Sequence, residues 1–218
     1  MALPDIPDYS LPVTDLPPAR APFTLEPARA ALLIHDMQAY FCAAYGTDAQ
    51  TRAGSTLART TANIARIAQV ARAAGVPVFY TAQKGNQFRP DRGLQAELWG
   101  PGMRALPEHE AIIAPLAPAA QDITLVKHRY SAFQRSNLES LMRARGRDQL
   151  IVTGIYAHIG CLATASEAFQ RDIEPFFIAD ALADFSAEKH AMALRWVADC
   201  VGVPMNSATA IGRLEAAL

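Results

Sequence analysis

A carboxylate, Asp36, follows an uninterrupted apolar segment. Residues 30–34 (Ala-Ala-Leu-Leu-Ile) are typical of a strand buried on both faces of a parallel sheet. Ligands of open α/β sheets bind beyond the carboxyl ends of the strands, so we expect Asp36 at the edge of a crevice. A carboxyl group half-covered by apolar neighbours tends to have a raised pKa and can act as a general acid. Alternatively, Asp36 caps a helix that begins at Met37, and this segment alone leaves both interpretations open.

Two further strand ends carry groups that could join Asp36. Lys127 ends an apolar run, and Tyr156 and His158 follow another. If the strands are neighbours, their ends meet at one edge of the sheet. A lysine ammonium group there can bind a substrate carboxylate or form an ion pair with Asp36, and the two roles are compatible.

Cys161 stands at the predicted start of a helix. The helix dipole lowers the pKa of a thiol there, which favours a nucleophile. The alternative is a small apolar residue packed in the core, which is the usual environment of a free cysteine.

Composition excludes several classes of protein. The 218 residues are 51% hydrophobic and 19% charged, with a net charge of −1 and no Lys/Arg cluster, so we expect a globular protein with neither a nucleic-acid nor a membrane partner. Residues 1–24 contain prolines and charges but no apolar core segment, so we expect no secretory signal, and no uninterrupted apolar run approaches bilayer length. The three cysteines are widely spaced, which predicts neither a disulfide framework nor a CxxC metal site and favours the cytoplasm.

Predicted strands and helices alternate from residue 30 onward. Apolar runs predict strands over 30–36, 76–81, 122–127, 149–153, 175–180 and a weak 201–205, which Pro204 would confine to a sheet edge. Helical spacing and capping residues predict helices over 47–74, 136–146 (opened by a capping box at Ser136), about 161–171, and after Ser186. This order predicts a three-layer αβα, Rossmann-like fold with a mostly parallel sheet of about six strands. No GxGxxG follows the first strand and no GxxxxGK[ST] occurs, which disfavours nucleotide binding.

Two segments lie outside this alternation. Residues 1–29 contain seven prolines and predict an extended arm that lies on the body or on a partner subunit. Residues 85–118 mix glycine, proline and charged residues, which predicts a lid or binding loop. We therefore predict one domain, 30–218, preceded by the arm.

Six sequence blocks stand out in chain order: His35-Asp-Met-Gln38, Tyr80-Thr-Ala-Gln83, Trp99-Gly-Pro-Gly-Met103, Arg129-Tyr-Ser-Ala-Phe133, Gly154-Ile-Tyr-Ala-His-Ile-Gly160 and Asp180-Ala-Leu-Ala-Asp-Phe-Ser186. Together they resemble the isochorismatase family, from the arm to about Val197. The resemblance implies the isochorismatase fold, a hydrolase acting on an ether bond, and no cofactor.

The resemblance also bears on Cys161. In the related cysteine amidohydrolases, the nucleophilic Cys stands six residues after the glycine that matches Gly154. That position is Gly160 here, and the one-residue shift turns the Cys161 side chain by about 100° on a helix. The resemblance therefore favours a packed Cys161. The zinc motif of nicotinamidases has no counterpart in residues 83–86, so we expect no metal.

By resemblance, the substrate is isochorismate, whose enolpyruvyl group is a vinyl ether. Asp36 would protonate its terminal carbon, and Lys127 would hold the enolpyruvyl carboxylate or orient Asp36. Arg92 would neutralise the ring carboxylate. The other expected substrate-binding residues are Gln38, Phe41, Gln83, Trp99, Tyr130, Tyr156 and Gly160. For each aromatic residue among them, which would form the pocket wall, packing in the hydrophobic core is an equal alternative.

Other substrates and partners stay open. The alternatives are 2-amino-2-deoxyisochorismate, as in phenazine biosynthesis, an amide cleaved by Cys161, or a non-catalytic protein of this fold.

His128 and Lys84 depart from the Trp and Pro usual in relatives. The aryl carrier domain of enterobactin-type enzymes is not expected in this chain, so a separate aryl carrier protein is a candidate partner in siderophore biosynthesis. A homodimer or higher homo-oligomer is expected.

Overall fold

The computed structural model of the protein describes residues 3–46, 48–49 and 52–218. Within these ranges, strands pair in parallel as one sheet of six in the order β3-β2-β1-β4-β5-β6. They are β1 (Ala30–His35), β2 (Val78–Ala82), β3 (Ile123–Val126), β4 (Gln149–Ile155), β5 (Glu174–Ala183) and β6 (Val203–Met205). The predicted sheet is confirmed, and the weak sixth strand lies at an edge as Pro204 requires.

Helices connect the strands in the described part of the chain. They are α1 (Ala39–Cys42), α2 (Thr56–Ala73), α3 (Arg89–Arg92), α4 (Leu94–Trp99), α5 (Pro107–Glu110), α6 (Leu138–Arg143), α7 (Leu162–Gln170), α8 (Ala187–Cys200) and α9 (Ser207–Glu215). Short 3-10 turns cover Ala43–Tyr45 and Ala114–Leu116, and a π-helical turn covers Ala157–Cys161. None of the helices in the described ranges combines the length and apolarity that crossing a bilayer requires.

The strands separate two apolar cores because side chains alternate between the two faces of a strand. In β1, Leu32 and Ile34 belong to one core and Ala31 and Leu33 to the other. The first core also contains the apolar faces of α2 and α9, and the second contains those of α6, α7 and α8. Helices therefore cover both faces of the sheet, which confirms the three-layer αβα architecture.

The second helix begins later than predicted. Its N-cap is Ser55, whose hydroxyl accepts a hydrogen bond from the backbone N–H of Ala58 at 3.0 Å, so the helix starts at Thr56. The predicted start, Thr47, lies outside the described residues. The helix ends at Ala73, two residues before Gly75, which has a positive φ of 67° as expected after a helix.

The predicted capping box at Ser136 is wrong. The Ser136 hydroxyl donates to the carbonyl of Ala132 and accepts weakly from Leu138 N–H at 3.3 Å, and the helix begins only at Leu138. Glu139 pairs with Arg171 instead of turning back to the backbone. By contrast, the predicted cap at Ser186 is confirmed, since its hydroxyl accepts from Lys189 N–H at 3.2 Å.

Three other elements differ from the sequence-based expectation. The strand expected to end at residue 180 continues to Ala183, with a shift in its pairing to β4 between Val152 and Gly154. The C-terminal helix α9 was not predicted. The segment 85–118 contains short helices, α3, α4 and α5, and we call it the lid.

Candidate active site

A cleft opens beyond the carboxyl ends of β1, β2 and β4. The strand order places β1 between β2 and β4, and ligands of open α/β sheets bind where the connections diverge from such a central strand. The cleft has a volume of about 680 Å³, counting its open mouth. Its lining residues are Leu3, His35, Asp36, Tyr40, Phe41, Gln83, Arg92, Gln95, Trp99, Gly102, Met103, Lys127, Tyr130, Ile155, Tyr156, Ile159, Gly160 and Phe185.

Asp36 follows the last residue of β1 and lies in the cleft wall. Its φ of 50° turns the chain sharply out of the strand, a conformation that aspartate tolerates better than most residues. One carboxylate oxygen lies 2.8 Å from Nζ of Lys127, and the other accepts a hydrogen bond from the Thr81 hydroxyl at 2.7 Å. The helix that follows has Gln38 at its N-cap and no capping side chain, so the alternative that Asp36 caps a helix is wrong.

The charge state of Asp36 differs from expectation. Burial raises the pKa of this carboxyl group, but the Lys127 ammonium group, His35 and the Thr81 hydrogen bond together lower it, and the net pKa lies below the ordinary value. The expected raised pKa is therefore wrong for the unliganded cleft, where Asp36 is an ionised carboxylate.

Lys127 is buried, with 1% of its surface exposed. Its ammonium group donates to the carbonyls of Arg129 at 2.7 Å and Tyr130 at 3.4 Å, and it pairs with Asp36. An ammonium group has three hydrogens, so these three acceptors use its whole donor capacity. The ion pair that was one interpretation of Lys127 is present, between two residues that line the cleft.

Two glutamines near Asp36 have different roles. Gln83 reaches the cleft, and its amide nitrogen lies 3.4 Å from a carboxylate oxygen of Asp36. Gln38 does not line the cleft. Its buried amide donates to the carbonyls of Gln83 and Glu110 at 2.9 and 2.8 Å and accepts from Gln83 N–H at 2.7 Å. The expected contact of Gln38 with substrate is therefore corrected to a role in fixing the Gln83 loop.

Arg92 is a buried cation in the lid wall, 7% exposed. Its Nε donates to the carbonyl of Gly100 at 2.7 Å, and no carboxylate among the described residues lies within ion-pair distance. Gly102 gives it space, because a Cβ there would approach the guanidinium to 2.8 Å. Burial lowers the pKa of Arg92, while the nearby Tyr40 and Tyr130 raise it. An unpaired buried guanidinium group facing a cavity is suited to a bound anion.

Aromatic side chains form the remaining wall. Trp99 Nε1 donates to the Tyr130 hydroxyl at 2.7 Å, which joins the lid to the body. The Tyr156 hydroxyl donates to the Phe41 carbonyl at 2.7 Å, and its ring packs edge-on against Phe185 with 4.5 Å between centroids. These contacts hold flat apolar surfaces in fixed positions, which suits a planar, unsaturated ring.

Gly160 is required by the close approach of His35. A Cβ at position 160 would lie 2.2 Å from Cε1 of the His35 ring, whose nitrogens face the carbonyls of Ile155 and Tyr130 at 2.9 and 3.3 Å. A cysteine at this position would therefore have to displace the buried His35 ring. The neighbouring Cys161 is fully buried outside the cleft, and burial raises the pKa of its thiol well above the ordinary value, so it has no access to a substrate.

Several lining residues were missed by the sequence analysis. Leu3 comes from the arm, which lies on the body through the Tyr9 hydroxyl, an acceptor for Asp184 N–H at 2.7 Å. Gln95 lies in the lid and Phe185 in a block already recognised, so position alone could have suggested them. His158, by contrast, does not line the cleft and pairs with the buried carboxylate of Asp184.

The departures from the family pattern lie outside the cleft. His128 does not line it, and its Nδ1 is buried without a partner among the described residues. Lys84 is exposed and pairs with Glu110 at 3.1 Å. Within the described ranges, no group of three or more His, Cys, Asp or Glu residues is arranged to hold a metal ion.

Similarity to known proteins is extensive. A family model described as "Isochorismatase domain" matches residues 30–209. The chain is 51% identical to the isochorismatase of Bacillus subtilis strain 168 over 91% of its own length and 62% of that protein. It is 47% identical to enterobactin synthase component B of Escherichia coli K12 over 91% and 68% of the respective lengths. It is 46% identical to the phenazine biosynthesis protein PhzD1 of Pseudomonas aeruginosa PAO1 over 90% and 92%. The crystal structure of a cysteine hydrolase from Pseudomonas syringae pv. phaseolicola 1448A superimposes with a TM-score of 0.76 at 26% identity, covering 94% of this chain and 100% of that one.

Proposed function

The chain belongs to the isochorismatase family, and we propose that it hydrolyses isochorismate to 2,3-dihydro-2,3-dihydroxybenzoate and pyruvate by general acid catalysis. The observation that carries this proposal is the position of Asp36. Among the described residues that line the aromatic cleft, Asp36 is the one carboxylate, and it is paired with the buried Lys127. The buried Arg92 also lines this cleft and has no carboxylate partner in the described ranges. The two cations match the two carboxylates of isochorismate.

The reaction needs an acid and a water molecule. Asp36, once protonated, gives its proton to the terminal CH₂ carbon of the enolpyruvyl group, and the ether oxygen stabilises the resulting cation as an oxocarbenium ion. Water adds to the cationic carbon and loses a proton to the Asp36 carboxylate, which forms a hemiketal. The bond between the hemiketal carbon and the former ether oxygen then breaks. That oxygen, which stays on the ring, takes up the proton of the hemiketal hydroxyl, and pyruvate and the dihydrodiol leave. Atoms balance for the addition of one water, and Asp36 ends as it began.

Substrate binding raises the pKa of Asp36, so that the carboxylate takes up from solvent the proton that it lacks in the free protein. The carboxylate of the enolpyruvyl group would share the ammonium hydrogens of Lys127, which now serve Asp36 and two carbonyls. A second anion at this place weakens the effect of Lys127, and burial then dominates and raises the pKa of Asp36. The acid is therefore formed only in the complex.

The other lining residues position the substrate. Arg92 binds the ring carboxylate, Gln83 donates a hydrogen bond near Asp36, and Gly160 leaves room for the His35 ring that lines the cleft beside Asp36. Trp99, Tyr130, Tyr156 and Phe41 enclose the ring.

A second candidate substrate is 2-amino-2-deoxyisochorismate. The chain covers 92% of the phenazine relative, but only 62% of the Bacillus subtilis isochorismatase. The match to the Bacillus subtilis isochorismatase and to enterobactin synthase component B covers only part of those proteins, so we leave carrier protein partners and the pathway open to either assignment. The vinyl ether chemistry is identical for both substrates.

The test is pyruvate release from each substrate by the purified protein. The Cys161→Ala variant serves as a control, because the proposal requires no thiol. Release that is unaffected by Cys161→Ala supports acid catalysis. Release that is lost in Cys161→Ala, without loss of folding, would contradict it, and release from neither substrate would refute the function.

Arg92→Met is expected to raise KM for pyruvate release by about tenfold to a hundredfold with a smaller change in kcat, because it removes the cation that binds the ring carboxylate in both ground and transition states. Steady-state kinetics measure both constants. Arg89→Met is the matched control, since Arg89 is an exposed lid arginine that pairs with Glu97 and does not line the cleft. Equal KM values in the two variants would show that Arg92 does not bind the substrate.

We also propose a homo-oligomer located in the cytoplasm. Three large apolar side chains of the lid, Phe88, Leu94 and Leu98, are 70%, 86% and 56% exposed, and Leu94 and Leu98 lie one turn apart on α4, which supports a surface that another chain covers. Light scattering at micromolar concentration is expected to give at least twice the 23.5 kDa mass of the chain. A monomer mass would refute the oligomer.

A further inference from the structure

A polar atom that borders the cleft, Oε1 of Gln95 in the lid, has no hydrogen-bond partner in the part of the chain that the structure describes. Gln95 lies one helical turn before Trp99 in α4, so the two side chains share a face, and both line the cleft. Oε1 of Gln95 is buried and accepts no hydrogen bond from any residue in the described ranges. A buried acceptor without a donor is unfavourable, so this atom is suited to a donor that arrives with the ligand.

The position of Arg92 indicates which part of the ligand that donor belongs to. Arg92 lies three residues before Gln95 in the same lid, and no carboxylate in the described ranges pairs with it. In the proposed function Arg92 binds the ring carboxylate. In both candidate substrates, the ring carbon next to the carboxylate-bearing carbon carries the group that distinguishes them, a hydroxyl in one and an ammonium group in the other. Both groups are hydrogen-bond donors.

We propose that Gln95 is a specificity residue, whose Oε1 accepts a hydrogen bond from the hydroxyl or ammonium group next to the ring carboxylate. This inference rests on the proposed function. A neutral amide oxygen accepts from either group. A carboxylate at the same position would favour the cationic substrate, and a leucine would leave either donor without a partner.

The experiment measures kcat/KM for pyruvate release from isochorismate and from 2-amino-2-deoxyisochorismate. Gln95→Leu is expected to lower kcat/KM on the preferred substrate about tenfold to a hundredfold, because a buried donor of the substrate loses its acceptor. Gln95→Glu is expected to shift the ratio of the two kcat/KM values about tenfold towards the amino substrate. Gln87→Leu is the matched control, since Gln87 is a lid glutamine whose amide atoms also lack partners but which does not line the cleft.

The outcomes separate the inference from the function on which it rests. If the unmodified protein releases pyruvate from neither substrate, the proposed function fails and the inference falls with it. If the protein is active but Gln95→Leu matches Gln87→Leu on both substrates, the inference is overturned while the function stands. A Gln95→Glu variant with an unchanged substrate ratio would likewise overturn the assignment, and this variant provides the test should Gln95→Leu fold poorly.

Discussion

Replacing Asp36 by asparagine is expected to lower kcat for pyruvate release by about 10²- to 10⁴-fold, the usual contribution of a general acid. The amide has nearly the shape of the carboxyl group and its oxygen can still accept from the Thr81 hydroxyl, but it has no proton acidic enough for carbon. Because the remaining contacts to the substrate stay, KM should change much less than kcat. Steady-state kinetics on the preferred substrate provide the measurement.

Asp180→Asn is the matched control for this variant. Asp180 is also a buried carboxylate, but it lies outside the cleft and binds the N-terminus of α9, accepting from Ser207 N–H at 2.6 Å. Its replacement should lower stability without lowering kcat. A kcat for Asp36→Asn close to that of the unmodified protein would exclude Asp36 as the acid.

The pH dependence offers a further check on Asp36. The lowered pKa of the free protein governs kcat/KM, and the pKa of the complex governs kcat. Both quantities should fall as pH rises and the carboxyl group loses its proton. Because the substrate anion raises the pKa of Asp36, the fall in kcat should come at higher pH than the fall in kcat/KM.

The sequence indicated that Asp36 and Lys127 lie at the same edge of the sheet, since each follows or ends an apolar run and the carboxyl ends of parallel strands share one edge. The two strands are not neighbours as the prediction supposed, because β2 lies between β1 and β3, yet the two side chains still meet. The pKa of Asp36 could not be predicted in the same way. Burial and a cation have opposite effects on a carboxyl group, and the result depends on a distance, here 2.8 Å, that no pattern encodes.

The lid shows the second limit of sequence analysis. Its glycines and prolines identified a functional segment, but not which side chains turn inwards. Arg92 and Trp99 were expected at the cleft from family resemblance, whereas Gln95 was missed, because its orientation is set by a six-residue helix too short to show a periodic pattern. Gln38 shows the opposite error, since a polar residue beside the acid proved to bind backbone groups.

Replacing Lys127 by methionine is expected to destabilise the folded protein by about 3–5 kcal/mol at neutral pH, because it leaves the buried carboxylate of Asp36 without its cation. Methionine keeps the length and apolar stem of lysine, so packing changes little. The matched variant is Asp36→Asn combined with Lys127→Met, which removes both charges. It should recover most of the lost stability, since neutral replacement of a buried ion pair is often close to neutral in free energy.

The free energy of unfolding should depend on pH in opposite directions in the unmodified protein and in Lys127→Met. In the unmodified protein the folded-state pKa of Asp36 is lowered, so its contribution is present above the ordinary pKa of aspartate and is lost as pH falls through the folded-state value. In Lys127→Met the effect of burial remains, the folded-state pKa is raised, and stability falls as pH rises through it. Urea unfolding should therefore show a stability gap between the two proteins that is widest at neutral pH and narrows towards the ordinary pKa of aspartate. A gap that is independent of pH, or one that persists in the double variant, would show that Lys127 stabilises the fold through packing and not through the charge of Asp36.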